Sequence, residues 1–441
     1  MAVELTLDPR EAIAKNPMGG IQIAVVAITV GLNALDGFDV LSISFASPGI
    51  ARDWGIDRAV LGVVLSMELL GMGIGSILLG GVADKLGRRR TLLGCLAVMT
   101  LGMAMATRAK GVYELSIWRV FTGLGIGGML ATINAVAAEF SNARRRSLNV
   151  SLMAIGYPIG AVVGGSIASL LLKQSQWQVV FAFGAAATAA FIPLVFWLVP
   201  ESISWLCRRQ PAGALDAVNL ALSRMGHTPV AELPEISAAA RGRSVGDIFS
   251  PQLLRVTLLV TLAYFLHITT FYFILKWVPK IVVDMGFTPS SAGGVLVWAN
   301  VGGASGGAIL GLLSLRFGLK HLTMFALVMS TLMVAVFGRG QANLAQLSLI
   351  CAIAGFFTNA GVVGLYGIFA QVFPTHVRAT GTGFAVGFGR ASAWASPIIA
   401  GYLFHAGYGL GFVSIAMGAG SLVAALSLWL LPFKAEPAAA V

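Results

Sequence analysis

The chain has 441 residues, of which 57% are hydrophobic and only 11% charged, and its mean hydropathy is +0.86. A water-soluble globule cannot hide that much apolar surface, which all but excludes a soluble enzyme and predicts a set of packed membrane helices. The formal net charge of +11 does not point to nucleic acid, because the 29 Lys and Arg fall in short breaks between apolar stretches rather than on one face.

The first twenty residues carry Glu4, Asp8, Glu11 and Lys15 and run into an apolar stretch too long for the core of a signal peptide. The N-terminus is therefore expected to stay attached and cytoplasmic. Apolar segments long enough to span a membrane begin near residues 21, 59, 91, 113, 147 and 177, and six more begin near 253, 289, 321, 343, 379 and 409. This predicts an all-α integral membrane protein of twelve transmembrane helices, with six-helix bundles over 1–199 and 253–441. Between them lies a cytoplasmic connector over 200–252, broken by Pro211, Pro229 and Pro234, in which Pro211 to Met225 reads as a short interfacial helix. With the N-terminus inside, 19 Lys and Arg fall on the cytoplasmic side and seven on the other, leaving Arg119, Lys276 and Arg390 within spans. Cys95, Cys207 and Cys351 are too scattered for a disulfide framework or a metal cluster and read as packing residues, and no cofactor or metal is expected.

An internal repeat links the halves. The segment Gly80-Gly-Val-Ala-Asp-Lys-Leu-Gly-Arg-Arg-Arg90 is echoed 231 residues later by Gly311-Leu-Leu-Ser-Leu-Arg-Phe-Gly-Leu-Lys-His321. The same offset carries the exit of span four at Glu139 onto the exit of span ten, where a basic turn again precedes a helix.

Residues 80–90 resemble the signature loop of the major facilitator superfamily. Leu35-Asp-Gly-Phe-Asp-Val40, Trp118-Arg119 with the following glycines, Pro200-Glu201-Ser202, and Phe373-Pro374 through Arg378 are similar to the aromatic acid:proton symporters of that superfamily. The resemblance covers nearly the whole chain and implies a gating latch at Gly80, Asp84, Gly87 and Arg88, with Glu139 and Arg378 in related roles. In physical terms Asp84 is suited to cap a helix and pair with arginines, while Gly80 and Gly87 are suited to close helix approach and a sharp turn. The alternative is that the arginines at 88–90 only set topology. Lys276 departs from the family pattern, where a smaller polar residue is expected.

Ionisable residues inside spans carry the functional reading. Asp36 and Asp39 stand three apart on one helix face, where low dielectric and mutual repulsion favour the protonated form and make the pair a proton-coupling candidate. Arg119 lies at a depth close to Asp39, so it is suited either to a structural pair with it or to a bidentate hold on a substrate carboxylate. Arg390, among glycines in span eleven, is a second substrate anchor or a tie between the halves. Glu68 has no partner in its own helix and reads as structural.

Span seven holds Tyr264, His267, Phe271, Tyr272 and Lys276, a set that suits stacking on a flat ring. Helical spacing divides it: Phe265, Thr269, Tyr272 and Lys276 share one face, while Tyr264, His267 and Phe271 group on another. Lys276, read as near the outer end, is equally suited to snorkelling, and a lone membrane histidine is more often a packing residue.

These readings converge on a symporter for protons and a small aromatic carboxylate of the 4-hydroxybenzoate kind, with the halves rocking alternately around a midplane site. It would sit in a bacterial inner membrane, work as a monomer and have both termini cytoplasmic. A proton-coupled efflux antiporter and an importer of a non-aromatic acid remain the alternatives. A ligand-binding receptor that no longer transports fits the buried charges less well.

Overall fold

The computed structural model describes residues 8–234, 245–340, 342–374 and 377–432, and within them it is helical throughout apart from connecting turns. A short helix α1 (Pro9–Lys15) is capped by Asp8 and precedes α2 (Gly20–Trp54), α3 (Arg58–Leu86), α4 (Arg88–Ala106), α5 (Val112–Glu139), α6 (Arg146–Leu171) and α7 (Gln178–Leu198). The connector carries α8 (Ile203–Arg209) and α9 (Ala214–Met225). The chain then continues through α10 (Leu254–Asp284), α11 (Pro289–Leu313), α12 (Leu319–Phe337), α13 (Leu344–Val372), α14 (Arg378–His405) and α15 (Leu410–Trp429).

The twelve expected spans correspond to α2–α7 and α10–α15, each starting within three residues of its expected position. Among the described residues eleven helices are long and apolar enough to cross a membrane. The twelfth, α14, has 28 residues, but Thr, Ser, Gly and Arg390 lower its apolar character. Many large hydrophobic side chains point outward, among them Ile77, Tyr113, Leu315 and Trp429, as expected where lipid replaces water as solvent.

Two compact units divide the chain. One comprises Met1–Ser42, Gly71–Gly164 and Gln178–Ala240, and the other Ile43–Leu70, Gly165–Trp177 and Arg241–Val441, so the division passes through α2, α3 and α6. In the first unit α4 packs on α5 and α7; in the second α10 packs on α14 and α15, α11 on α13, and α12 on α13 and α15.

Lipid offers helices no hydrophobic drive to associate, so close backbone approach at small residues has to supply the contact. Gly71 and Gly75 of α3 lie against the carbonyls of Val120 and Leu124 of α5. Gly302 and Gly306, each 231 residues further on, lie in the same way against the carbonyls of Ala352 and Phe356 of α13. The repeat seen in the loops thus extends to the crossing of the helix before each loop with the second helix after it.

The connector holds more structure than its prolines suggest. Ser202 caps α8 by accepting from the Trp205 amide at 3.1 Å. The expected helix before Met225 is α9, and its apolar side (Val218, Ala221, Leu222, Met225) is buried. Its C-terminal end is packed on the start of α2: a Cβ at Gly19 would lie 2.1 Å from the Met225 carbonyl oxygen, and His227 bonds Gln22 at 3.1 Å. All three cysteines are buried, as packing residues should be, and burial pushes the Cys207 thiol up to about 11.

A Cβ at Gly302 would lie 1.8 Å from the Ala352 carbonyl oxygen, whereas one at Gly311 would have nothing within 4 Å. Gly302→Val is therefore expected to lower stability by roughly 2 kcal/mol or more. Gly311→Ala should be near neutral, and thermal unfolding in detergent compares the two.

Candidate functional site

Helix α2 presents Asp36 and Asp39 in the first unit, and both side chains are buried. Arg119 of α5 is fully buried beside Asp39. Its Nη2 donates to the Asp39 carbonyl oxygen at 3.1 Å, its Nη1 contacts the Met103 sulfur at 3.0 Å, and its guanidinium stands over the Phe181 ring at 5.2 Å. The Asp39 carboxylate is directed towards α7, where Oδ1 would lie 3.2 Å from a Cβ at Gly184. The sequence reading placed Arg119 and Asp39 at one depth, and the structure brings them together. A buried planar guanidinium on the helix next to one that carries two carboxyl groups is suited to exchange partners with an incoming carboxylate.

In the second unit α10 is divided by face much as its spacing indicated. Thr269 bonds Ser392 of α14 at 2.6 Å, and Ser392 in turn donates to the Phe265 carbonyl. On another face His267 is enclosed, with Nδ1 2.8 Å from the Ser421 hydroxyl and Nε2 2.8 Å from the Thr358 carbonyl oxygen. Both ring nitrogens are thereby engaged in joining α10 to α13 and α15, an arrangement suited to packing rather than ligand contact. Tyr264 bonds the Tyr366 hydroxyl at 3.0 Å and packs edge-on against Phe369. Its ring also covers Gly389, next to the half-buried Arg390. Phe271 and Tyr272 are half-buried with ring centroids 5.4 Å apart.

Lys276 corrects one expectation. It does not snorkel: α10 continues through Pro279 to Asp284, so Lys276 lies eight residues inside the helix end and is fully buried. Its ammonium lies 3.8 Å from the carboxylate of Glu68 of α3, also fully buried. Sequence reasoning had left Glu68 without a partner. The available signal was the need of two deep opposite charges for compensation, but one-dimensional spacing does not say which helices meet.

The signature loop folds into a charge network within the first unit. Arg88, at the start of α4, donates to Asp84 at 2.7 Å, to the Ala83 carbonyl at 2.8 Å and to Glu139 at 3.3 Å. Glu139 also accepts from the Ser202 hydroxyl at 2.6 Å and lies 3.6 Å from Arg208. Asp84 pairs with an arginine as expected but does not cap α4. That role belongs to Glu201, which accepts from the Arg88 amide at 2.7 Å and the Arg89 amide at 3.3 Å. Gly87 makes the turn possible, with φ of +100° and Glu201 Oε2 only 2.3 Å from where a Cβ would stand. Gly80 is not a site of close approach, since its Cβ position lies an ordinary 3.8 Å from Ala131.

The three arginines divide in role. Arg88 is buried in the network, Arg89 reaches the Phe196 carbonyl, and Arg90 is exposed. In the second half Arg378 is exposed and donates to the Phe373 carbonyl at 3.2 Å, a local turn contact rather than a counterpart of Arg88. Arg88→Ala, which removes the buried guanidinium that ties Asp84, the Ala83 carbonyl and Glu139 together, is expected to cost about 2 kcal/mol or more in thermal unfolding, and Arg90→Ala nearly nothing.

Comparison with known proteins identifies the family. The family described as Major Facilitator Superfamily matches residues 29–299. The chain is 29% identical to the gallate transporter of Pseudomonas putida over 97% of its length and 95% of that protein's. It is 30% identical to the 3-(3-hydroxy-phenyl)propionate transporter of Escherichia coli K12, covering 92% of this chain and 93% of the relative. It is also 30% identical to the 4-hydroxybenzoate transporter PcaK of Pseudomonas putida, covering 89% and 88%. The crystal structure of a D-xylose–proton symporter shares the fold, with a TM-score of 0.71 at 18% identity over 93% of this chain and 97% of that one. The chain belongs to the Major Facilitator Superfamily and is a multi-pass membrane transporter, and the relatives it matches along most of its length carry aromatic acids.

Proposed function

We propose that this protein imports a small aromatic carboxylate together with protons, by alternating access between two six-helix bundles (1–199 and 253–441) joined by the 200–252 connector. The observation that carries the reading is the buried grouping of Arg119 with Asp36 and Asp39 in one unit. Two buried carboxyl groups on one helix are candidates to carry the coupled proton, and the planar fork of a guanidinium matches a carboxylate ligand better than a neutral one. Proton and anion then enter as a charge-compensated pair, which lowers the cost of moving either through hydrocarbon. Tyr264, Phe271 and Tyr272 offer aromatic surface for the ring, with Arg390 as a second cation near Tyr264. The end-to-end relatives named for gallate, hydroxyphenylpropionate and 4-hydroxybenzoate support the aromatic class. The excess of Lys and Arg in the breaks assigned to one side supports cytoplasmic termini in a bacterial inner membrane. The protein works as a monomer in this reading.

Uptake of radiolabelled hydroxybenzoates, phenylpropionates and aliphatic acids into vesicles, with a proton gradient imposed or collapsed, tests the proposal. One aromatic acid should accumulate only with an inward proton gradient. Accumulation that survives an uncoupler would sink the coupling, and expulsion of the acid would favour efflux. Asp36→Asn with Asp39→Asn should abolish accumulation. Arg119→Lys, which loses the planar fork, should reduce uptake by roughly a hundredfold at limiting substrate.

A further inference from the structure

The Glu68–Lys276 pair is one of two charge contacts between the same two helices. At the start of α3 Arg58 donates to Asp284, the last residue of α10, at 2.9 Å. Ten residues further along α3, Glu68 meets Lys276, eight residues back along α10. The helices therefore run antiparallel, with contacts about 12–15 Å apart. The polarity alternates: α3 supplies the cation at the end and the anion inside, and α10 the reverse.

Local helix stability does not explain the contacts between the two helices, although Asp284 also pairs with Lys280 one turn back in α10. Arg58 stands at the N-terminus of its own helix and Asp284 at the C-terminus of its own, each the end that disfavours its sign. Each gains from the opposite end of the partner helix. A buried Glu–Lys pair is likewise a poor device for stability alone, since an apolar pair of similar volume does as well or better. Around the outer contact the Arg58 guanidinium covers the Phe404 ring at 5.0 Å, and His405 lies 3.3 Å from Asp57. Between the contacts a Cβ at Gly62 would lie 2.5 Å from the Pro397 carbonyl oxygen, so α3 and α14 touch backbone to backbone.

We infer that Arg58–Asp284 and Glu68–Lys276 form a clasp that closes the transport path on the side opposite the N-terminus, its inner pair parting and re-forming in each transport cycle. This rests on the alternating-access reading above. The alternation of sign favours this register, because sliding either helix by about 12–15 Å would set like charges side by side. Lys276 is then a positioning residue of the closed state.

The test reads the clasp without substrate. Ser66, fully buried between the two contacts on α3, is replaced by Cys as a reporter in the full-length protein, whose native cysteines are all buried. Labelling from outside by a membrane-impermeant maleimide should be slow in Ser66→Cys alone and about tenfold or more faster with Glu68→Gln and Lys276→Gln added. The charge exchange Glu68→Lys with Lys276→Glu should restore slow labelling, which a general loosening of the fold would not do. Equal labelling rates with and without the pair would overturn the clasp. A second measurement stands if those variants misfold: Arg58→Cys with Asp284→Cys, bridged by a short bifunctional thiol reagent, should lose transport and regain it on reduction. Undiminished transport with the bridge complete would overturn the proposal. Failure to carry any aromatic acid, with reporter labelling as expected, would remove the substrate reading and leave the clasp.

Discussion

A charge held in hydrocarbon has to find its compensation within the protein, and most of the arrangement described above follows from that requirement. Arg119, Asp39, Glu68 and Lys276 are all fully buried, a state that unpaired charges do not sustain. Each brings helices together that apolar packing alone would not select: α2 with α5 through Arg119, and α3 with α10 through Glu68. Glycine crossings decide how closely the helices come and charge decides which partner is chosen. The two work together because a guanidinium reaching a backbone carbonyl, or a carboxylate reaching an ammonium, needs the backbones to be near.

In the transport cycle proposed above the same compensation is temporary. A pair that is too favourable holds the protein in one state, and one that is too weak leaves a charge stranded. Pairs whose members belong to different helices, such as Arg119 on the Asp39 carbonyl and Lys276 on Glu68, suit the proposed cycle, in which partners are exchanged. The signature-loop network differs in character: Arg88, Asp84, Glu139, Ser202 and Arg208 are joined by several contacts at once, so no single contact carries it.

Much of this was legible in the sequence, unevenly. Span positions were, because hydrocarbon thickness sets a length that composition reveals directly. The pairing of Arg119 with Asp39 was legible from depth alone. The Glu68–Lys276 pair was not, since its partners are more than two hundred residues apart and nothing in a linear pattern states which helices adjoin. Lys276 was read as near the outer end of its span, whereas α10 accommodates Pro279 and runs on for five residues beyond it. Glu201 was noted only as part of a motif; its capping of α4 depends on a segment that returns from across the first unit.

That cap bears on how the protein is made. The start of α4 is held by a carboxylate 113 residues downstream, beyond α7. As the chain leaves the ribosome, the signature turn is inserted with its first amides unserved, and it stays so until the sixth span has entered the bilayer and Glu201 has emerged behind it. The loop therefore reaches its final form as one of the last events in assembly of the first half, and a nascent chain interrupted before that point would present an open turn to the machinery that inspects membrane proteins.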